Sequence, residues 1–349
     1  MTTAPAQFED IILLENKLKE SHIPQELHTK AAAILERLIR LAKSSSYSQE
    51  YDSVSRYLDW IVSIPWNYQS PDNLSLVEAK KILDANHHGL ENIKERILEY
   101  ISVASLNQQK SAKSKAPNLL LLGLVGTGKT TMAYSIAEAL GRQFGRIPMG
   151  GMGDALQLRG KSRAYPDAEP GQIMKVLRRV KTKNPVILLD EIDRVTQEAR
   201  ADMMGVLVEI LDPEQNSHFL DHFIDYPYDL SEVIFIASAN NTTNIATAVL
   251  DRLEIIEMPS YSDEQKIIIG KNYIFPRTLA SCGLTSSELT VSDNVWPLIV
   301  RPLGFDAGMR TLERTINSLC RKVAKLKVEG KIAKVILTAD NLKEYIPVW

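Results

Sequence analysis

Along residues 8 to about 62 apolar side chains recur every three or four positions, the period of an amphipathic helix. The stretch AAAILERLIRLA puts Ile34, Leu35, Leu38, Ile39 and Leu41 on one face. YDSVSRYLDWIVSIPW repeats the pattern with Val54, Tyr57, Leu58 and Ile61 until Pro65 ends the helix. Trp60 and Trp66 read as core or docking anchors. A turn at Pro71-Asp72-Asn73 precedes two further helices divided at Gly89, and the polar, basic NQQKSAKSKAP reads as a connector.

From residue 118 the period changes. NLLLLGL, NPVILLDE and SEVIFIASAN are continuous apolar runs and LEIIEMP a shorter one, as strands buried on both faces require. Helical stretches such as TTMAYSIAEALGRQF alternate with them. The alternation predicts an α/β fold with a doubly wound parallel sheet, whose ligand sits at the carboxyl ends of the strands. After Pro259, SDEQKIIIGKNYIF and GMRTLERTINSLCRKVAKLKVEG return to helical spacing, and KVILTADNLKEYI closes a small, mostly helical lid. The expected domains are a helical segment over 1–88, a large nucleotide-binding domain over 89–259 and the lid over 260–349.

Composition narrows the function classes. Lysine and arginine total 41 against 43 acids, a formal charge of −2, so DNA or an anionic membrane gains no support from global charge. Two cysteines, Cys282 and Cys320, are too few for a disulfide framework, and with the six histidines they form no metal-ligand spacing. The apolar runs are shorter than a membrane span, and the first residues lack a basic start followed by an apolar core. A cytoplasmic protein is expected.

The chemistry concentrates at two strand ends. GLVGTGKTT, residues 123–131, satisfies G-x-x-x-x-G-K-[ST] through Gly123, Gly128, Lys129 and Thr130. Backbone N–H groups of Leu124, Val125, Gly126, Thr127 and Thr131, with the following helix N-terminus, suit phosphate oxygens. Lys129 suits the β- and γ-phosphates of ATP, and Thr130 suits Mg²⁺. VILLDE delivers Asp190 to hold Mg²⁺ and Glu191 to deprotonate a water. The second acid favours hydrolysis over a pure switch. IASAN leaves Asn240 at a strand end, either a γ-phosphate contact or an ordinary turn asparagine. Arg252 in VLDRLE and Arg310 in GMRTLER are surface arginines or stabilisers of phosphoryl charge.

From about residue 31 to 345 the chain resembles the ATPase portion of Lon, the AAA+ protease, through RYLDWIVSIPW, HHGLENIKERILEY, LLLDEIDRV, VEILDPEQNSHFLDHFIDYPYDLSEVIFIASAN and LDRLEIIEMPSY. ILDPEQN is particular to that family. The resemblance implies sensor 1 at Asn240, an arginine finger acting on the neighbouring subunit at Arg252, sensor 2 at Arg310, and a ring, expected to be a hexamer, that acts on protein substrates. It implies adenine contact at His88, where the family has tyrosine, and a substrate-gripping pore loop at Tyr165 and Pro166. Leu124 and Val125 replace two prolines. Pro166 and Asp167 replace the aliphatic–glycine pair after the aromatic, and RADMMG at 200–205 departs from the usual second loop. The matching residues all belong to the ATPase half, so the expected activity is ATP-driven unfolding without a serine–lysine peptidase in this chain, serving a separate peptidase. The start at Met1 favours a natural chain over an excised fragment. The alternative is an ATP-regulated assembly switch for a protein or DNA partner.

Overall fold

In the computed structural model of the protein, residues 6–43, 49–109, 117–301 and 308–346 are described. The basic part of the connector (110–116) and the last three residues lie outside them. The chain runs α1 (Ala6–Glu20), α2 (Gln25–Lys43), α3 (Gln49–Ser63), α4 (Leu76–Asn86), α5 (Glu91–Gln109), β1 (Leu119–Leu122), α6 (Lys129–Ala139) and β2 (Phe144–Pro148). It continues through α7 (Leu156–Arg159), α8 (Gln172–Val180), β3 (Val186–Asp190), α9 (Arg200–Leu211), β4 (Phe219–Leu220), β5 (Pro227–Tyr228), β6 (Ile234–Ala239), α10 (Thr247–Leu250) and β7 (Glu254–Glu257). The last elements are α11 (Asp263–Ile269), α12 (Phe275–Ser281), β8 (Leu289–Val291), α13 (Trp296–Val300), α14 (Arg310–Val328), β9 (Val335–Leu337) and α15 (Leu342–Tyr345).

Five strands form a parallel sheet in the order β2-β3-β6-β1-β7, which makes the protein α/β. β3 and β6 are buried along their whole length, as the unbroken apolar runs require. β2 is absent from the sequence reading, which carried the preceding helix through to Phe144. α6 instead ends at Ala139, where Gly141 two residues on adopts φ +70° and stops it. FGRIP then pairs with β3 alone, as an edge strand. Its glycine and proline hide it from a strand pattern, yet both have physical reasons. A Cβ on Gly145 would fall 2.3 Å from Val176 Cγ1 of α8, and proline is tolerated where a strand has one neighbour.

Packing divides the chain into two compact units, 1–74, 100–120 and 140–255 in one, 75–99, 121–139 and 256–349 in the other. In the first, α1, α2 and α3 pack on one another through Ile11, Leu14, Leu18, Leu27, Ala31, Leu35, Leu38, Leu58 and Ile61. The two tryptophans act as anchors. Arg178 of α8 stacks over Trp60 at 4.2 Å and pairs with Asp59, which also holds Lys17 at 3.0 Å. Trp66 packs against Tyr226 and Tyr228, with ring centroids at 5.8 and 5.2 Å. Tyr228 donates to Pro65 O at 2.7 Å and Tyr57 to Ile224 O at 3.0 Å, so the helical segment is fastened to the β4–β5 ribbon.

In the second unit α4 packs on α6, and the residues after 260 form their own core around Trp296, Leu312, Ile316, Leu319 and Leu337. α11 opens with a capping box, Ser262 and Gln265 each satisfying the other's backbone N–H. The lid is mostly helical, but β8 and β9 add a short parallel pair.

Candidate nucleotide site

β1 ends in a loop that only glycine can build at three points. A Cβ on Gly123 would fall 2.5 Å from Met258 O, because Met258 N–H donates to Leu122 O at 2.7 Å and brings that segment close. Gly126 and Gly128 adopt φ +84° and +93°, where side chains are strained. Leu124 and Val125 are exposed at the loop's tip. Thr127 is buried, its hydroxyl donating to Leu124 O at 2.9 Å. Lys129 is only 8% exposed, and its ammonium folds back to donate to Gly123 O at 2.6 Å and Leu124 O at 3.0 Å. Thr130 stands exposed in the first turn of α6, and Thr131 donates to Gly128 O at 2.8 Å.

Two contacts from the lid's own sequence secure this loop within the same unit. The Tyr261 hydroxyl donates to Thr127 O at 2.9 Å, and Met309 N–H donates to Gly126 O at 2.9 Å. A Cβ on Gly308 would lie 2.5 Å from Val125 O, so glycine lets the start of α14 rest on the loop. Arg310 is the first residue of that helix, and its backbone N lies 3.4 Å from where a Cβ on Gly126 would stand. The fold therefore brings Arg310 to the glycine loop. Tyr261 and Gly308 were missed by sequence reasoning, since neither stands in a pattern that signals phosphate chemistry.

His88, expected beside adenine, is half-buried after α4. Its neighbour His87 is buried and fastened to the loop's helix, sharing a 3.0 Å hydrogen bond with the Ser135 hydroxyl. Burial pushes the His87 imidazole down to about 4, helped by the nearby Lys94 and Arg277 charges, so it is neutral near pH 7.

In the other unit, β3 delivers Asp190, only 5% exposed. Its Oδ2 accepts from Arg146 of β2, Nε at 2.8 Å, and its Oδ1 accepts the Ser238 hydroxyl of β6. Glu191 follows in the left-handed region, φ +60°, with its N–H donated to Ser238 Oγ at 2.9 Å. A non-glycine residue held there is strained, and such strain concentrates at functional sites. The Glu191 carboxylate pairs with Arg194 at 3.4 Å. Asn240 donates its backbone N–H to Asp193 Oδ2 at 3.1 Å, so the third strand end is tied to the turn after Glu191. Arg252 lies in the turn just past α10, its Nε and one terminal nitrogen 3.2 and 2.8 Å from Asp212 Oδ2. The backbone N–H of Glu214 and then Arg252 hold the Asp212 carboxyl below the usual range. Ser238, Arg146 and Asp193 were not identified from sequence. They act through partners 44 to 48 residues away, which spacing does not announce.

Tyr165 is 57% exposed at the apex of the loop between α7 and α8, beside Pro166. Lys161 lies over its ring at 5.0 Å and pairs with Asp167 at 2.5 Å, which lowers the Asp167 carboxyl. RADMMG forms the first turns of α9, with Met203 and Met204 buried in the core.

Mg²⁺ is compatible with the donors present. Asp190 in one unit and Thr130 in the other each carry a hard oxygen of the kind Mg²⁺ takes, and such an ion needs few protein ligands when phosphates and water complete its shell. Among the described residues no group of three or more His, Cys, Asp or Glu is placed to hold a metal by itself. No helix among them is long and apolar enough to cross a membrane.

A parallel sheet with a glycine–lysine–threonine loop after one strand and paired acids after another defines a P-loop nucleotide-binding protein. Residues 119–261 match the ATPase family associated with various cellular activities (AAA), and residues 280–336 match the Lon protease AAA+ ATPase lid domain. The chain is 42% identical over 340 residues to the Lon protease of Lawsonia intracellularis, covering 97% of this chain and 40% of that protein. It is 42% identical over 334 residues to the Lon protease of Dictyoglomus thermophilum, covering 95% and 41%. With the mitochondrial Lon protease homolog 1 of Dictyostelium discoideum the identity is 40% over 334 residues, 96% and 34%. The chain belongs to the Lon-type AAA+ ATPases. It spans about two fifths of the length of the bacterial relatives it matches.

Proposed function

We propose that the chain hydrolyses Mg·ATP and uses the cycle to unfold or remodel protein substrates, as the ATPase portion of a ring. The observation that carries this reading is the strained Glu191 beside Asp190, both held by the single hydroxyl of Ser238. Backbone strain there aims a second carboxylate that a nucleotide-binding switch would not need.

In this reading the Gly123–Thr131 loop binds phosphate through its backbone N–H groups, and Lys129 exchanges its loop carbonyls for β- and γ-phosphate oxygens. Thr130 and Asp190 hold Mg²⁺, His88 flanks adenine, and ATP with its ion supplies the electrophilic phosphorus. Glu191 takes the proton of the attacking water, Asn240 orients that water, and Arg310 faces the developing charge. Arg252 serves the neighbouring subunit's phosphates, in a hexameric ring. The corresponding domains are 1–88, 89–259 and 260–349. Tyr165, with Pro166 stiffening the loop, grips extended protein chains by an aromatic contact that needs no sequence readout. The setting is cytoplasmic, and cleavage of the unfolded chain falls to a peptidase active site outside these 349 residues.

The test is ATP turnover with and without casein. Stimulation by casein in the wild type, lost in Tyr165→Ala with casein-free turnover retained, is the expected result. Indifference of the wild type to casein would replace this reading with an ATP-regulated assembly switch.

A further inference from the structure

The Tyr165 loop leaves α7 at Gly160 and enters α8 at Gly171. Both stems meet one buried carboxylate. Asp221, in the β4–β5 connection and fully buried, accepts the Gly171 N–H on Oδ2 at 2.7 Å. Its Oδ1 accepts the N–H groups of Phe223 and Ile224 at 2.9 and 3.0 Å. On the opposite stem, a Cβ on Gly160 would stand 2.8 Å from both carboxylate oxygens, and Gly160 has φ +78°. A Cβ on Gly171 would lie 1.9 Å from Leu158 O, so the stems pack backbone to backbone. Lys161 N–H donates across the stems to Glu169 O at 2.8 Å, and His222 N–H of the β4–β5 connection donates to Arg159 O at 2.7 Å.

The same connection also braces the loop's flank. Arg163 lies 3.7 Å over the ring of Tyr57 in α3 and 3.7 Å from Asp225, which follows Asp221 by four residues and adopts φ +53°. A buried carboxylate carrying three backbone N–H groups cannot lose its acceptor capacity without leaving donors unpaired. None of the nucleotide chemistry uses it. Burial pushes the carboxyl up to about 6, with Lys175 the charged side chain that opposes the rise.

We propose that Asp221 is the positioning residue of the Tyr165 loop, clamping Gly160 and Gly171 together so that the apex presents its aromatic ring to protein substrates as a rigid unit. The inference rests on reading Tyr165 as the substrate grip, and the experiment separates the two.

Asp221→Asn keeps the side chain's size but replaces one acceptor oxygen with a donor facing the Gly171 N–H. In that variant the casein concentration giving half-maximal ATPase stimulation is expected to rise about tenfold, with the maximal stimulated rate within about twofold of wild type. Tryptic cleavage after Lys161 and Arg163, followed by mass spectrometry, is expected to accelerate about tenfold because the loop opens locally. Gly160→Ala, which pushes on the same carboxylate from the other stem, should give the same two changes. In the wild type, the Gly171 amide should exchange hydrogen as slowly as the amides of β3. Wild-type casein dependence together with wild-type cleavage in Asp221→Asn would overturn the clamp. So would a Gly171 amide exchanging as fast as the loop apex, a measurement that needs no variant to fold. An unchanged casein response in Tyr165→Ala would remove the substrate-grip reading alone, and the cleavage and exchange results would then decide the clamp.

Discussion

Arg252 is held by Asp212, the guanidinium reaching one carboxylate oxygen through both Nε and a terminal nitrogen at 3.2 and 2.8 Å. Asp212 opens the DPEQN stretch that is particular to the Lon resemblance, so that motif sets the direction in which the arginine points. An arginine finger in trans should lose about 10³-fold in turnover as Arg252→Ala, and Asp212→Ala should lose less, since the charge stays but its aim is relaxed. Mixing Arg252→Ala with Lys129→Ala protein should restore part of the activity, because mixed rings contain complete interfaces. No recovery at any mixing ratio, with rings confirmed by sedimentation, would place the finger elsewhere.

Lys129 and Glu191 should separate binding from turnover. Lys129→Ala removes the buried cation of the glycine loop and is expected to weaken ATP binding more than about tenfold in a fluorescent-nucleotide titration. Glu191→Gln keeps the side chain's size and is expected to bind ATP normally while turnover falls about 10²-fold or more. Glu191→Gln hydrolysing at the wild-type rate would show that another group activates the water.

Gly308 is the narrowest point between the start of α14 and the glycine loop. Gly308→Ala would place a Cβ 2.5 Å from Val125 O, so the helix start must retreat. A stability loss of about 1–3 kcal/mol is expected from the overpacking. ATP affinity should fall with it, because Arg310 moves with that helix. Denaturant titration and nucleotide binding measured on the same variant check both effects.

His87 gives the protein an acid-sensitive point. Its imidazole titrates at about 4 in the folded protein against an ordinary 6.5, chiefly because it is buried. The folded state therefore binds fewer protons than the unfolded chain between those values. The stability associated with neutral His87 is complete above about pH 6.5 and declines as pH falls toward about 4, by roughly 3 kcal/mol over the interval. His87→Gln should flatten this part of the wild-type pH profile in thermal melts. A profile that keeps its full slope would assign the acid sensitivity to other groups.

The nucleotide loop was legible because its requirements are local. Glycine at positive φ, a lysine and a threonine at the head of a helix must lie within nine consecutive residues, from Gly123 to Thr131, for backbone N–H groups to converge on phosphate. The central strands were legible for a similar reason: burial on both faces demands an unbroken apolar run, and Val186–Leu189 and Ile234–Ala237 supply it. β2 was not, since an edge strand lying against α8 tolerates the glycine and proline that disguise it.

What the sequence determined by itself was the α/β frame and the two motifs it carries, the glycine loop with Lys129 and the strand end with Asp190 and Glu191. The tertiary structure alone decided which side chains hold those residues. Ser238 holds Asp190 and Glu191 from a neighbouring strand, Asp212 holds Arg252 across 40 residues, and Asp221 joins the two stems of the Tyr165 loop. A serine or an aspartate has no periodicity that marks it for such a role. Its partner is chosen by the packing of distant segments, and a buried carboxylate or hydroxyl shows its function only through the donors and acceptors that packing brings to it.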